Sequence, residues 1–217
     1  MFLGKNRQSW LFDQKWIKIK TTGRRILRVF WRFDKWHEYP VNTKPYVRYI
    51  ISMIEDLSPA NRGTIVEVGC GIGDIIGNIV GGRKVGFDLD LQAIKCAKIL
   101  HPRTSFVHGT ISDVEIGLID FFVMVNWEAG ISSDVIREWL NDCNSRNTVN
   151  MYVVDKFTQC SNSYPYTHDW ESIFGQDYVL FRRSRGFMAA DSNRRYIEFW
   201  VRKEYKEKYE RILTGYK

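Results

Sequence analysis

Hydrophobic and polar positions follow two alternating periodicities along most of the chain. Short β-branched and aromatic runs, typical of buried strands, occur at residues 64–68, 84–88, 104–108, 120–126 and 150–155. Apolar residues three or four positions apart predict helices at residues 45–57, 74–80, 91–100 and 132–143. Strands that alternate with helices in this way predict an α/β domain, in which helices cover both faces of a mostly parallel sheet.

Local signals support the helix starts. Pro45 stands in the first turn of its helix, where the missing N–H would have no partner within the helix. Asp90 is a good N-cap for the helix that follows it, and Ser132 or Ser133 can cap the later one. These residues predict where each helix begins.

The C-terminal part changes pattern. Residues 178–184 and 195–203 alternate as strands do, with Asp191-Ser192-Asn193 as turn residues between them. Ile197, Phe199 and Val201 share one side of the second strand. This pattern predicts a terminal antiparallel pair, followed by a charged helix that begins near residue 204.

Composition agrees with a globular protein. The chain has 217 residues, 44% hydrophobic and 26% charged, which excludes collagen-like and disordered classes. No apolar run approaches the roughly 18 residues of a membrane-spanning helix, and the charged N-terminus lacks the pattern of a signal peptide. The four cysteines form no C-x-x-C pair. We therefore expect a reduced, cytoplasmic protein without a zinc site.

Charge divides the chain into two parts. Residues 1–36 carry ten Lys and Arg against two Asp, and the whole chain has a net charge of +7, so the remainder is close to neutral. The same segment holds four of the eight tryptophans. We predict a basic, Trp-rich appendage at residues 1–44 and one domain at residues 45–217.

On a helical wheel, residues 24–36 separate into two faces. The cationic face consists of Arg24, Arg25, Arg28, Arg32 and Lys35. The apolar face consists of Ile26, Leu27, Val29, Phe30 and Phe33, with Trp31 and Trp36 at the borders. Three interpretations stay open. The helix packs on its own domain with its basic face in solvent, lies on an anionic membrane surface, or binds nucleic acid.

A glycine-rich turn follows the first buried strand. Residues 67–73 read E-x-G-x-G-x-G, and glycines at such a turn let the backbone approach a ligand closely. Asp88 ends the second strand, where a carboxylate can accept the hydroxyls of a ribose. A dinucleotide fingerprint requires glycine at the position of Asp74, which disfavours NAD and FAD.

These segments resemble the class I S-adenosylmethionine-dependent methyltransferases. Residues 67–73 are similar to the family's first motif, Gly86-Phe87-Asp88 to its second-strand motif, residues 106–113 to its adenine-side motif, and residues 120–126 to its fourth strand. The resemblance implies a Rossmann-like, mostly parallel seven-stranded sheet that ends in an antiparallel pair, with S-adenosylmethionine as cofactor. The implied cofactor-binding residues are Glu67, Gly69, Cys70, Gly71, Gly73, Asp88, Thr110, Ile111 and Asn126.

Two chemistries of that family are disfavoured. The fourth strand ends in Asn126-Trp127-Glu128 rather than the N-P-P-Y or D-P-P-Y of adenine-N6 methyltransferases. A metal-dependent enzyme would need a third ligand after Asp155, where Lys156 stands instead. We expect no metal.

The acceptor side follows the fifth strand. A polar and aromatic loop at residues 157–169 comes after the carboxyl end of that strand, where ligands bind in such sheets. Asp155 and His168 are the candidate catalytic residues that would take a proton from an acceptor hydroxyl, and His37 and Glu128 are the next candidates. A surface histidine beside Asp169 is the alternative for His168.

A narrower resemblance concerns residues 33–37, Phe-Asp-Lys-Trp-His, which are similar to a segment of bacterial methyltransferases associated with surface-polysaccharide synthesis. We expect methyl transfer to a hydroxyl or amine of a small molecule, a glycan or a lipid-linked glycan, at the inner face of the membrane if the appendage docks there. The alternatives are an RNA or DNA methyltransferase that uses the basic N-terminus, and a non-catalytic cofactor-binding or membrane-interaction protein.

Overall fold

A computed structural model describes residues 20–56, 63–189 and 193–214. The strands are β1 (Thr64–Val68), β2 (Arg83–Asp88), β3 (Ser105–His108), β4 (Leu118–Ile119), β5 (Phe121–Met124), β6 (Thr148–Val149), β7 (Met151–Phe157), β8 (Tyr178–Arg183), β9 (Phe187–Met188) and β10 (Arg194–Arg202). The helices are α1 (residues 20–31), α2 (Pro45–Glu55), α3 (Leu91–Leu100), α4 (Ser133–Arg146), α5 (Trp170–Phe174) and α6 (Lys206–Thr214).

The main sheet has the predicted mixed topology. Its order is β3-β2-β1-β5-β7-β10-β8, in which β3 through β7 are parallel and β10 runs antiparallel to β7 and β8. The short β9 also pairs with β10 and brings the sheet to eight strands, while β4 and β6 form a separate parallel pair. The predicted fold class is confirmed, and β9 is the addition that the sequence pattern did not indicate.

Each central strand contributes side chains to two cores, one on each face of the sheet. Ile65, Phe121, Val153 and Phe199 belong to the first core, and the alternate positions belong to the second. Such alternation follows from the two-residue period of a strand. Ile197, Phe199 and Val201 share one face, as their spacing predicts.

The helix starts agree with their local signals. Pro45 is the first residue of α2, and the Asp90 side chain accepts hydrogen bonds from the backbone N–H groups of Gln92 and Ala93 at the start of α3. Ser132 is the N-cap of α4, without a hydrogen bond from its side chain. The predicted C-terminal helix is present as α6.

The predicted helix at residues 74–80 is wrong. A turn leads instead into a short 3-10 helix, Ile76–Asn78. Two glycines weaken helix formation here, because Gly73 has a φ of +82° and Gly77 lies against the ring of His101. The buried Glu67 carboxyl group also accepts a hydrogen bond from the backbone N–H of Ile76 at 2.9 Å.

The N-terminal helix packs on its own domain, and its basic face is divided between ion pairs with that domain and solvent, rather than lying wholly in solvent as one interpretation expected. α1 ends at residue 31, before Arg32, which has a φ of +52°. Arg24 and Arg28 form ion pairs with Asp74 and Glu38 of the same chain. Leu27 and Trp31 pack against a buried cluster, whereas the other large apolar residues of α1 are exposed. Residues 1–19, including the alternating stretch near Ile17, and turn residues 191–192 lie outside the described residues. Across the described ranges, no helix is long and apolar enough to cross a membrane.

Candidate functional site

The glycine turn lies at the carboxyl edge of the parallel strands, directly after β1. Gly69, Gly71 and Gly73 all have positive φ values, of 72°, 52° and 82°, which other residues rarely adopt. A Cβ at Gly69 would lie 2.2 Å from the Trp127 ring, and one at Gly71 would lie 2.2 Å from the His37 ring. Both positions therefore require glycine for conformation and for space.

The buried side chains of Glu67 and Cys70 support this turn from the interior of the protein. The Glu67 carboxyl is buried, and burial raises its pKa well above the usual range despite the hydrogen bond from Ile76. Burial likewise raises the pKa of the Cys70 thiol, which packs against Gly86. Both side chains support the loop, and neither is among the residues that line the two cavities beside the turn.

Asp88 is held in place at the end of β2. One carboxylate oxygen accepts the N–H of Gly71 at 2.7 Å, and the other accepts the N–H of Asp90 at 2.8 Å. The side chain therefore joins the glycine turn to the start of α3. Because each carboxylate oxygen has a second lone pair, Asp88 can still accept hydrogen bonds from a ligand.

A first cavity of about 510 Å³ lies beside Asp88. Two of its walls are the indoles of Trp127 and Trp139, whose ring centroids are 6.4 Å apart. Thr110 and Ile111 form another part of the lining, and Thr110 caps the short helix Ile111–Asp113. Its volume and apolar walls are typical of a small-molecule site.

A second cavity of about 380 Å³ adjoins the first, because Gly69, Asp88 and Trp127 line both. Trp127 separates them and is fixed by a 2.7 Å hydrogen bond from its Nε1 to the Val68 carbonyl. The rest of the second lining is mainly polar or aromatic and comprises Asp34, His37, Val125, Asn126 and Tyr164. The N-terminal segment therefore contributes directly to the site.

Asp74 fastens that segment to the glycine turn. Its carboxylate oxygens lie 2.8 Å from Arg24 Nη2 and 2.6 Å from Lys44 Nζ, and His37 Nδ1 is 4.0 Å away. Burial raises the pKa of Asp74, but the nearby His37 imidazole and attraction to Lys44 and Arg24 outweigh it, so the pKa falls well below its ordinary value. Desolvation lowers the pKa of the buried Lys44.

Asp155 is paired inside the protein. Its carboxylate forms an ion pair with Arg195 through both oxygens, and one oxygen also accepts the backbone N–H of Asn126 at 2.8 Å. Arg195 donates to the Asn126 side-chain oxygen at 2.9 Å. Together they hold Asn126, whose φ of +84° is unusual for a residue other than glycine. Arg195 carried no signal in the sequence, because its partners lie 40 and 69 positions away.

Glu128 lies next to this pair and is completely buried. One of its oxygens accepts a hydrogen bond from the backbone N–H of Asp155, while the other has no hydrogen-bond partner among the residues that the structure describes. Burial and the neighbouring Asp155 carboxylate raise the pKa of Glu128 well above the usual range. A buried carboxyl group with a raised pKa therefore lies beside the Asp155–Arg195 pair.

His168 lies outside the linings of these two cavities. Its Nδ1 is 2.9 Å from Ser133 Oγ, and its Nε2 is 2.9 Å from the Glu128 carbonyl oxygen. Burial lowers the pKa of the imidazole. The residue lines a separate cavity of about 540 Å³ with Lys156 and Asp169. The structure thus brings neither His168 nor the Asp155 carboxylate into the lining beside Asp88.

Of the nine predicted cofactor-binding residues, five line the two cavities, and they are Gly69, Asp88, Thr110, Ile111 and Asn126. The other four lie in or under the glycine turn. Among the described residues, no group of three or more His, Cys, Asp or Glu side chains could hold a metal ion.

The fold is similar to solved methyltransferase structures. Magnesium protoporphyrin IX methyltransferase from Synechocystis PCC 6803, with bound SAH, aligns with a TM-score of 0.62 and 13% identity over 75% of this chain and 84% of that chain. N-methyltransferase NodS from Bradyrhizobium japonicum WM9, in complex with S-adenosyl-l-homocysteine, aligns with a TM-score of 0.58 and 13% identity over 72% of this chain and 87% of that one.

A third similar structure is the TehB-like SAM-dependent methyltransferase from Corynebacterium glutamicum, with a TM-score of 0.53 and 21% identity over 71% of this chain and 87% of the other. No protein-family model and no curated protein sequence matches the chain. These similarities show that the chain has the Rossmann-like methyltransferase fold. Because a fold alone does not define an activity, function has to be argued from the site.

Proposed function

We propose that this protein transfers a methyl group from S-adenosylmethionine to a hydroxyl or amine of an acceptor bound in the second cavity. The observation that carries the proposal is the junction of the glycine turn, Asp88 and two adjoining cavities at one edge of the sheet. When bound, S-adenosylmethionine supplies an electrophilic methyl group, which the acceptor atom takes up as the carbon–sulfur bond breaks and S-adenosylhomocysteine leaves.

The first cavity fits an adenosine group. Asp88 stands at its edge with free lone pairs for ribose hydroxyls, and the indoles of Trp127 and Trp139 offer flat apolar surfaces to a purine. The glycine turn lies against Trp127 without room for a Cβ at Gly69, so the backbone of the turn approaches the cavity closely. The methionine end would extend past Gly69 toward the second cavity.

The second cavity offers the groups that an acceptor requires. Methyl transfer depends mainly on alignment of the acceptor atom, plus a proton acceptor when that atom is a hydroxyl oxygen. Asp34, Asn126 and Tyr164 provide polar contacts for alignment, and the His37 imidazole is a group that can accept a proton. The Asp74 carboxylate lies 4.0 Å from His37 Nδ1.

Asp155 and His168 stay predictions as catalytic bases, but their contacts support positioning roles. Asp155 and Arg195 hold Asn126 in its left-handed conformation at the wall of the second cavity. The His168 imidazole supports the chain at Glu128, because its Nε2 lies 2.9 Å from the Glu128 carbonyl oxygen. We therefore propose His37 as the proton acceptor and Asp155 as a residue that positions Asn126.

A glycan acceptor is the substrate class we favour. The segment at residues 33–37, which resembles polysaccharide-associated methyltransferases, supplies Asp34 and His37 to the acceptor cavity. A cavity with carboxylate, amide and phenol groups suits a molecule rich in hydroxyls. The nucleic-acid alternative loses support because Arg24 and Arg28 are engaged in ion pairs with the protein's own carboxylates.

Calorimetry with S-adenosylhomocysteine tests the cofactor site. Asp88→Ala should weaken binding by about 10- to 150-fold, the value of one or two hydrogen bonds to a charged group. Asp134→Ala is the matched control, since the Asp134 side chain is 93% exposed on α4. Equal affinity in the Asp88 variant and the control would overturn the assignment.

Turnover tests the acceptor side. Release of S-adenosylhomocysteine should occur with sugar or lipid-linked sugar acceptors, and His37→Gln should lower kcat by about 10²- to 10⁴-fold while cofactor affinity stays nearly unchanged. Transfer only to RNA or DNA, with a steep loss of binding in salt, would replace the glycan proposal. Cofactor binding without turnover on either class would favour a non-catalytic protein.

A further inference from the structure

Two cations of α1, Arg24 and Arg28, contact the protein's own domain. Arg24 donates to Asp74 at 2.8 Å and to the backbone carbonyls of His37 and Tyr39. Arg28 contacts Glu38 at 2.8 Å. Burial raises the pKa of Glu38, but hydrogen bonds and attraction from Arg28 and Arg25 outweigh this effect and lower the pKa. The basic face is thus used to attach the helix to its own domain.

The opposite face of α1 carries large apolar side chains without cover from the described residues. Ile26 is 56% exposed, Val29 is 78% exposed and Phe30 is 79% exposed. Their spacing of three and four positions puts them in one stripe along the helix. We call Ile26, Val29 and Phe30 the outer stripe. A contiguous exposed apolar stripe of this kind marks an interaction surface.

Cations border the outer stripe. The Arg25 side chain, at the edge of the stripe, is 66% exposed although it touches Glu38. Lys20, the first described residue of α1, and Arg32, directly after its last residue, are also exposed, and so is Lys35 in the 3-10 helix Lys35–Glu38 that follows. Apolar side chains bordered by cations complement an anionic membrane surface, where acyl chains lie beneath a layer of negatively charged headgroups. Twelve described helical residues extend over about 18 Å, which suits a helix lying in the plane of the interface.

We propose that the outer stripe of α1 inserts into the interface of an anionic membrane, with the bordering cations at the level of the headgroups. This orientation differs from docking through the basic face, because Arg24 and Arg28 stay bound to Asp74 and Glu38. The segment that continues from α1 also supplies Asp34 and His37 to the second cavity. Docking is independent of the proposed methyl transfer, although it would suit an acceptor attached to a lipid.

Co-sedimentation of the full-length protein with vesicles of equal parts phosphatidylcholine and phosphatidylglycerol tests the proposal. Val29→Ser/Phe30→Ser should weaken vesicle binding by about 100-fold, since each buried side chain is expected to contribute at least about tenfold. Val80→Ser/Leu118→Ser is the control, because these two residues are 68% and 54% exposed elsewhere. Cofactor affinity is measured in parallel and should be the same in all variants, so that failure of docking and failure of the cofactor site are distinguished.

A second measurement reports on insertion itself. Brominated acyl chains should quench the added fluorescence of Phe30→Trp but not that of Leu118→Trp. Absence of wild-type binding to the anionic vesicles at low salt would overturn the proposal. It would also be overturned if Val29→Ser/Phe30→Ser bound like wild type while Arg32→Gln/Lys35→Gln did not, since binding would then be through charge alone. Conversion of a wild-type dimer to a monomer by the serine variant, without vesicle binding, would assign the stripe to a second copy.

Discussion

Asp74 and Asp155 are two buried carboxylates at the same edge of the sheet, and both are paired with cations. Asp74 joins two parts of the chain, because its partners Arg24 and Lys44 come from the N-terminal segment. Asp155 joins neighbouring strands within the core, because Arg195 lies on β10. The same chemistry therefore attaches a segment in one place and fixes the wall of a cavity in the other.

The cations differ in a way that affects stability. Lysine can lose its proton when its partner is removed, and burial already lowers the pKa of Lys44. Arginine cannot do so, and the Asp155 carboxylate raises the pKa of Arg195 further above its usual range despite burial. We expect the Asp155 cluster to be the less tolerant of the two.

The largest effect is expected for Asp155→Ala. Arg195, with a side chain only 4% exposed, would keep its charge after the loss of the carboxylate with which it is paired. Breaking such a buried pair costs about 3 to 5 kcal/mol of unfolding free energy. Urea denaturation measures this loss, with Asp134→Ala as the exposed control. A loss equal to or smaller than the loss measured for Asp74→Ala would contradict the expectation that the Asp155 cluster is the less tolerant one.

Asp74→Ala should have a smaller and more local effect. Loss of its charged hydrogen bonds is expected to cost about 2 to 3 kcal/mol, partly offset by deprotonation of Lys44. Hydrogen exchange should rise at residues 20–44 and stay unchanged in β7 and β10. Equal increases in both regions would contradict the distinction between an attached segment and a core pair.

Glu128→Gln tests the neutral carboxyl beside Asp155. In the unfolded chain Glu128 loses its proton above about pH 4.3, whereas in the folded protein its raised pKa keeps the proton bound. The folded state then binds more protons, so stability falls by up to about 1.4 kcal/mol per pH unit until the pH reaches the folded pKa.

The glutamine variant should lose this contribution. Because Glu67 also has a raised pKa and acts with the same sign, we expect the slope of unfolding free energy between about pH 5 and 7 to become shallower rather than flat. Unfolding curves over this range measure it. An unchanged slope would indicate that Glu128 is ionised in the folded protein.

The smallest effect is expected for His168→Asn, which removes the hydrogen bonds of the imidazole to Ser133 and Glu128 at a cost of about 1 kcal/mol. kcat should stay close to wild type, because the imidazole lies outside the two cavities next to Asp88. A loss of 10²-fold or more in kcat with unchanged stability would restore His168 as the base.

The sequence alone predicted the features that depend on short stretches of chain. Strand alternation, the Asp90 cap, the glycine turn and the carboxylate at the end of β2 all follow from neighbours a few positions apart. The polar and apolar periodicities that define these features are local, so they can be recognised in the sequence without knowledge of the tertiary structure. The alternation in β10 is readable for the same reason.

Only the tertiary structure decided which groups meet across long separations. A helical wheel separates the two faces of α1 but does not tell which face meets the domain, and that was decided by Asp74 and Glu38, which supply buried carboxylates for Arg24 and Arg28. Arg195 and Asp155 are likewise joined only when β10 pairs with β7. Charge pairing inside a protein depends on the position of both partners, and 40 or 50 intervening residues leave no local pattern of that contact.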